Sequence, residues 1–159
     1  MEDKLQWCFN QGMKFIEPSD DIAEEYFHSA EETLMVANLC KNSGSNMWLA
    51  THKYYAEYLA AYSLLMKIGI KSDIHSCTIG IIRFLEENNI VDFSFSSILE
   101  NDKDLRIDNQ YYLKNIPVEF DSKELAELLL RTRKILNNIN SHQINHIKEL
   151  IHRKIYKFK

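Results

Sequence analysis

The stretch MWLATHKYYAEYLAAYSLLMKIG, residues 47–69, decides the fold. Its strongly charged residues are Lys53 and Glu57, with Lys67 at its end. A helix written this way has almost no polar face to offer solvent, so it must be covered on most sides. That makes it the central helix of a bundle, with Gly69 as its C-terminal cap.

Working outward, the segment before it carries Ile22, Tyr26, Ala30, Leu34 and Ala37 in one helical row, with Ala23, Phe27 and Met35 nearby. Glu24, Glu25, Glu31 and Glu32 fall mostly outside the row. This is a one-sided helix over about 21–40, capped by Ser19 or Asp20 and closed at Gly44. Pro18 separates it from a short lead-in helix carrying Leu5, Cys8, Phe9, Met13 and Ile16, broken by Gly12. After the central helix, CTIGIIRFLEENN (77–89) reads as a shorter helix with Ile79, Ile82 and Leu85 inward. SFSSILENDKDLRIDNQYYL (94–113) reads as the next, starting at Ser94 or Ser96, with polar ENDKD a place for a bend or split. Pro117 and EFDSKEL mark a break, with Asp121 as the next cap and Glu124 at the capping-box position. An amphipathic helix follows over 124–139, and 140–159 continues it or forms a tail helix with the row Ile144, Ile147, Ile151 and Ile155. No convincing strand is seen. The expectation is an all-α, up-and-down four-helix bundle with extra N-terminal and C-terminal helices. It forms one domain over 1–159, with its core at about 20–139 and a C-terminal helical extension over 140–159.

A chain of 159 residues can bury a core without staples. With 4 Gly and 2 Pro it is poor in turn signals, which favours a few long helices over many short strands. A net charge of −4 argues against broad non-specific binding to nucleic acid or membrane. The longest apolar stretch ends in Lys67 and is a core helix, not a membrane span. Three cysteines, Cys8, Cys40 and Cys77, with no CxxC, signal neither a disulfide framework nor a cysteine zinc site. Three free thiols suit a reducing cytoplasm, so cytoplasmic localisation is expected. No cofactor and no metal site is expected.

HKYYAEYLAAYSLLMKIGIKSDIHSCTIGIIRFL (52–85) resembles the small HEPN (higher eukaryotes and prokaryotes nucleotide-binding) domain, a family with a tyrosine- and alanine-rich central helix, a turn and a further helix. The matching positions are Tyr54, Tyr55, Ala56, Ala60, Ala61, Gly69, Ile70 and His75. AEEYFHSAEETLMVANL is similar to the family's first bundle helix, and WCFNQGMKFIEPSDD to the lead-in of archaeal members. RIDNQYYL stands where relatives have an arginine followed by Asp-Tyr, and the resemblance covers roughly 5–138. It implies a four-helix bundle that often dimerises. It also implies a minimal nucleotidyltransferase partner in a toxin–antitoxin-like module, and binding of nucleotide or RNA. Active toxins of the family are metal-independent ribonucleases with an arginine followed, after four to six residues, by a histidine. This chain departs from that motif. The window after Arg106 holds Tyr111, Tyr112 and Leu113, and the window after Arg83 holds Asn88, Asn89 and Ile90.

Arg106, Asp108, Asn109, Tyr111 and Tyr112 form the candidate nucleotide- or partner-binding constellation. By resemblance, Tyr111 or Tyr112 is a candidate acceptor for a nucleotide transferred by the partner enzyme. The plainer alternative is an Arg–Asp pair on a solvated face with tyrosines packed into the bundle. If the group serves binding, it should lie exposed in one concave surface. The leading expectation is therefore a non-catalytic binding protein. The alternative is a ribonuclease using Arg106 with a substituted base, Tyr111 or His75. Tyr54, Tyr55, Tyr58 and Tyr62 read as core with bonded hydroxyls, against a base-stacking pocket. His52 and His75 read as structural. His142 and His146, four apart, lack a third ligand at metal spacing. KELIHRKIYKFK is a basic amphipathic end, able to meet phosphates or an acidic partner surface.

Overall fold

A computed structural model describes residues 3–157. Helix α3 (Asn46–Ile68) is its axis, with buried residues on all sides, among them Leu49, Tyr54, Ala60, Leu65 and Ile68. Helix α2 (Asp20–Ser43) precedes it through a turn of two residues, Gly44 and Ser45. Gly44 takes φ 74°, the left-handed conformation that costs glycine least, and the Ser45 hydroxyl accepts from the Trp48 amide at 3.3 Å. The two helices pack closely along their length because the inward row of α2 is Ala23, Phe27, Ala30 and Ala37, mostly small. Ala30 and Ala37 are inward as the sequence pattern suggests, while at the start of the helix Ala23 and Phe27 take the inward places expected of Ile22 and Tyr26. Ile22 is 42% exposed and Met35 67% exposed, since the alanines, not the bulkier neighbours, let the backbones approach.

Helices α5 (Phe95–Gln110) and α6 (Ser122–Asn138) complete the ring around α3, and α6 also meets α2. Helix α4 (His75–Glu87) packs on α5 and α3. The terminal helices α1 (Lys4–Asn10) and α7 (Ser141–Tyr156) pack on each other, α1 also touching α4. The chain is all-α, as the periodicity indicates. Helix α7 is separate from α6: Asn140 caps it in a capping box with Gln143, and Ile144, Ile147, Ile151 and Ile155 are buried. Its last turn is tied down by Lys154, which lies 3.8 Å from Asp3 and 3.9 Å from Glu87.

The structure differs from the sequence expectation at three further places. Helix α5 runs unbroken through ENDKD but stops at Gln110, so Tyr111, Tyr112 and Leu113 lie beyond it. A two-residue pair of strands, β1 (Lys14–Phe15) and β2 (Ile70–Lys71), stands where no strand is suggested by the pattern. It forms because Gly69 (φ 88°) turns the chain directly under the lead-in, where its carbonyl accepts from the Ile16 amide at 2.9 Å. A Cβ at Gly69 would strike the Ile16 carbonyl and the Pro18 nitrogen. Finally, Cys8 and Cys77 form a disulfide with Cα atoms 5.7 Å apart, and Cys40 is the free cysteine among the described residues. The expectation of three free thiols is therefore corrected: α1 lies on α4 and brings together two cysteines distant in sequence. The cysteine argument for a reducing compartment falls with it. Among the described residues no helix is long and apolar enough to cross a membrane.

Candidate functional site

The site is built where α5 ends. Asn109, 1% exposed, points its amide across the following loop. Its Oδ1 accepts from the Ile116 amide at 2.6 Å and its Nδ2 donates to the Ile116 carbonyl at 3.1 Å. Residues 111–116 are thereby folded into an elbow against the helix end. Asp108 supports the same elbow: its carboxylate pairs with Lys114 at 2.9 Å and its carbonyl accepts from the Lys114 amide at 3.1 Å. Asn46 at the start of α3 donates to Asn115 at 3.0 Å and fastens the far side. The elbow needs these clamps because Leu113 (φ 51°) and Asn115 (φ 54°) sit in the left-handed region, which is unfavourable for residues with a Cβ, least so for Asn.

The clamps leave Tyr111 and Tyr112 projecting outward, 64% and 68% exposed. Each has a cation over its ring, the Arg106 guanidinium 5.7 Å from the Tyr111 centroid and Lys114 5.8 Å from that of Tyr112. Arg106 itself is not surface-presented; it is 7% exposed. Its guanidinium lies 5.0 Å from the Tyr54 ring centroid and 5.3 Å from that of Tyr55. It donates to the Tyr55 hydroxyl at 3.4 Å and to Gln110 at 3.3 Å, and its Nε has no hydrogen-bond partner among the described residues. The five residues singled out by the sequence thus divide in three: Asp108 and Asn109 hold the elbow, Arg106 sits in an aromatic cage behind it, and the two tyrosines face solvent.

His75, at the start of α4, closes the other side of the cage. Its Nδ1 lies 2.8 Å from the Tyr54 hydroxyl, and its ring stacks on Tyr58 at 4.0 Å between centroids. Burial, with the nearby Arg106 and Lys103 charges, holds its pKa below the ordinary histidine value, so it is neutral near pH 7. Burial also raises the Tyr54 phenol well above its ordinary range and the Tyr58 phenol to about 12. These hydroxyls are bonded within the bundle, Tyr58 to Thr78 at 3.2 Å and Tyr62 to the Ser72 amide at 3.3 Å. Arg106 and His75, far apart in sequence, therefore converge on one tyrosine ring. His52 is bonded locally, its Nδ1 2.8 Å from the Trp48 carbonyl. Among the described residues no three histidine, cysteine or carboxylate side chains are grouped as metal ligands.

A family model for the HEPN domain matches residues 23–142. The chain belongs to the HEPN family. No curated protein and no solved structure gives a significant match. The matched region of this HEPN domain spans α2 to α6 and leaves α1 and nearly all of α7 outside. It contains every residue of the cage and the elbow. One feature of the site was not readable from the sequence, the clamp by Asn109, whose amide gives no local signal; Arg106 with His75 stood there as an alternative pair, and the fold adds that they meet through Tyr54. The spacing of Tyr54 and Tyr58 along one face of α3 was the available hint that something polar would be needed to bond their hydroxyls.

Proposed function

We propose that this HEPN domain is a non-catalytic member of a toxin–antitoxin-like module. It binds a minimal nucleotidyltransferase and offers Tyr111 or Tyr112 as the hydroxyl that receives a nucleotide. The observation that carries the reading is the exposure of both tyrosines on an elbow beyond a helix end, at 64% and 68%. An acceptor has to enter another protein's active site, and a side chain on the flank of a helix cannot do so as easily. Lys114, exposed beside the Tyr112 ring, favours the approach of a nucleoside triphosphate's phosphates. The buried tyrosines of α3 have neither access nor a titration within reach. A cytoplasmic setting and a homodimer belong to the same reading. Met35, Leu39 and Trp48, 67%, 69% and 48% exposed, give α2 and α3 an apolar surface suited to a second subunit.

The test is incubation with a minimal nucleotidyltransferase that co-purifies with the chain from its native host, with ATP and Mg²⁺, read by intact mass and peptide mapping. A nucleotide adduct on Tyr111 or Tyr112, lost in the matching Phe variant, is the expected result. No adduct, or one elsewhere, refutes the acceptor role. A second reading is favoured by one observation, the convergence of Arg106 and His75 on Tyr54. There the domain is a metal-independent ribonuclease, Arg106 steadying a phosphorane and neutral His75 accepting the 2′-hydroxyl proton. RNA cleavage by the purified chain in EDTA, abolished by Arg106→Ala and by His75→Ala, would select it.

A further inference from the structure

Away from the elbow, the middle of α3 carries the single acidic side chain of its buried face. Glu57 is 1% exposed, and its Oε1 receives no hydrogen bond from any donor among the described residues. It lines the same pocket as Asp102 on α5, itself 9% exposed. Lys53, one turn earlier on α3, reaches Asp102 at 3.0 Å. Two carboxyls thus share the pocket with one ammonium, which pairs with Asp102. Lys53 balances one carboxylate, so an ionised Glu57 beside Asp102 would need a second positive charge, a proton or a cation from outside.

There is room for the second. Glu57, Asp102 and Lys53 line a solvent-open pocket of about 230 Å³ between α3, α5 and the start of α6. At about 30 Å³ per water-sized group, that accommodates roughly seven or eight heavy atoms. Asp121 and Glu124, at the N-terminus of α6, add two further carboxylates, while Ile98, Leu125 and Leu128 supply apolar wall. Acidic side chains outnumber the single cation, and no three of the acids are grouped as ligands of a metal ion. A compact dication is therefore poorly served. A cationic head on an aliphatic chain matches both the acids and the walls.

We propose that this cavity binds an aliphatic ammonium group, its head between the Glu57 and Asp102 carboxyls and its alkyl chain along Ile98, Leu125 and Leu128. On binding, the proton leaves Glu57 for solvent and the incoming ammonium takes its place, so charge is conserved in the pocket. Burial and the neighbouring Asp102 push the Glu57 carboxyl well above its ordinary value, which favours the protonated form from which such an exchange starts. Lys53, Asp102, Asp121 and Glu124 are the charged groups facing Glu57 across the cavity from α3, α5 and α6. The ammonium has two sources, a free diamine or a lysine side chain of another protein, and the same site chemistry serves either.

The experiment titrates the full chain with cadaverine, with n-pentanol as neutral control, and with a lysine-bearing pentapeptide against its norleucine counterpart. Binding is followed by amide chemical shifts and by calorimetry in two buffers of different ionisation heat. Saturable cadaverine binding with shifts centred on residues 53–57, 98–102 and 121–128, and proton release on binding, is expected. Glu57→Gln should weaken it at least tenfold and abolish the proton release. Glu124→Gln, at the N-terminus of α6, should weaken it a few-fold without altering the thermal melt. Binding of the lysine peptide but not of cadaverine assigns the ammonium to a protein side chain. Failure of both amines to bind, pentanol binding as well as cadaverine, or unchanged affinity in a folded Glu57→Gln protein overturns the proposal. None of these outcomes depends on modification of Tyr111 or Tyr112.

Discussion

Arg106 is a cation held by rings rather than by a carboxylate, and that decides what its replacement should do. Three aromatic contacts at 5.0–5.7 Å favour it, at about 0.5–2 kcal/mol each, while its buried Nε without a partner opposes it. Arg106→Ala removes the contacts and leaves a void, so a loss of about 1–3 kcal/mol in urea unfolding is expected. Arg106→Met fills the void and removes the unpaired donor, so it should cost less. An unchanged midpoint for the alanine variant would mean that the cage is not packed in solution. Glu57 makes a different prediction, in pH. Its folded pKa lies well above the ordinary value, because burial and the Asp102 charge disfavour the carboxylate. Above about pH 4.3 the unfolded chain has lost this proton while the folded chain keeps it. Stability contributed by Glu57 therefore declines as pH rises toward the folded pKa, with a limiting slope of about 1.4 kcal/mol per pH unit. The Glu57→Gln variant should gain on the wild type as pH rises above about 4.3. Parallel stability curves for the two proteins would show that Glu57 titrates normally.

Among the elements, α3 was legible because an apolar circumference needs no partner to be recognised, and Gly44 and Gly69 mark the limits of its turns by backbone freedom alone. Helix α7 was half legible: its isoleucine row announces a buried face, but its separation from α6 lies in Asn140 and Gln143, a capping box with glutamine in place of glutamate. The end of α5 was not legible. DNQYYL keeps enough helix-forming character to extend to 113, and what stops it is tertiary, the Asn109 amide bonding both polar groups of Ile116. The candidate site inherits that limit, since two exposed tyrosines on an elbow and two tyrosines on a helix flank have the same sequence. Asn109→Ala tests the clamp. It leaves the Ile116 amide and carbonyl without their partner, a cost of about 1–3 kcal/mol. Hydrogen exchange should accelerate first at 111–116, with α3 and α6 still protected at the global limit. Uniform acceleration through the whole chain would instead make Asn109 part of the global core.

At the scale of the whole molecule, the matched HEPN region ends short of α1 and nearly all of α7, yet those two helices are bound into the same body. Ile151 and Ile155 of α7 share the core with Leu5 and Cys8 of α1 and with Ile79 and Ile82 of α4. The Cys8–Cys77 disulfide closes a loop of sequence separation 69 through this assembly. It was invisible in a chain with an odd cysteine count and no spacing motif, because the packing of α1 on α4 is what makes the two residues neighbours. Its consequence is that the oxidised and reduced proteins should differ in stability. Closing a loop of that size restricts the unfolded chain by up to about 4 kcal/mol in the loop-entropy account. Reduction with a phosphine, verified by mass, should therefore lower the thermal midpoint of the wild type and leave a Cys8→Ser variant unchanged. The reduced protein should still melt cooperatively, because Leu5 remains buried against the core when the covalent link is gone. A wild type whose midpoint does not move on verified reduction would show that packing alone fixes α1. A separate low-temperature transition on reduction would show that α1 and α7 are held to the HEPN bundle chiefly by the disulfide.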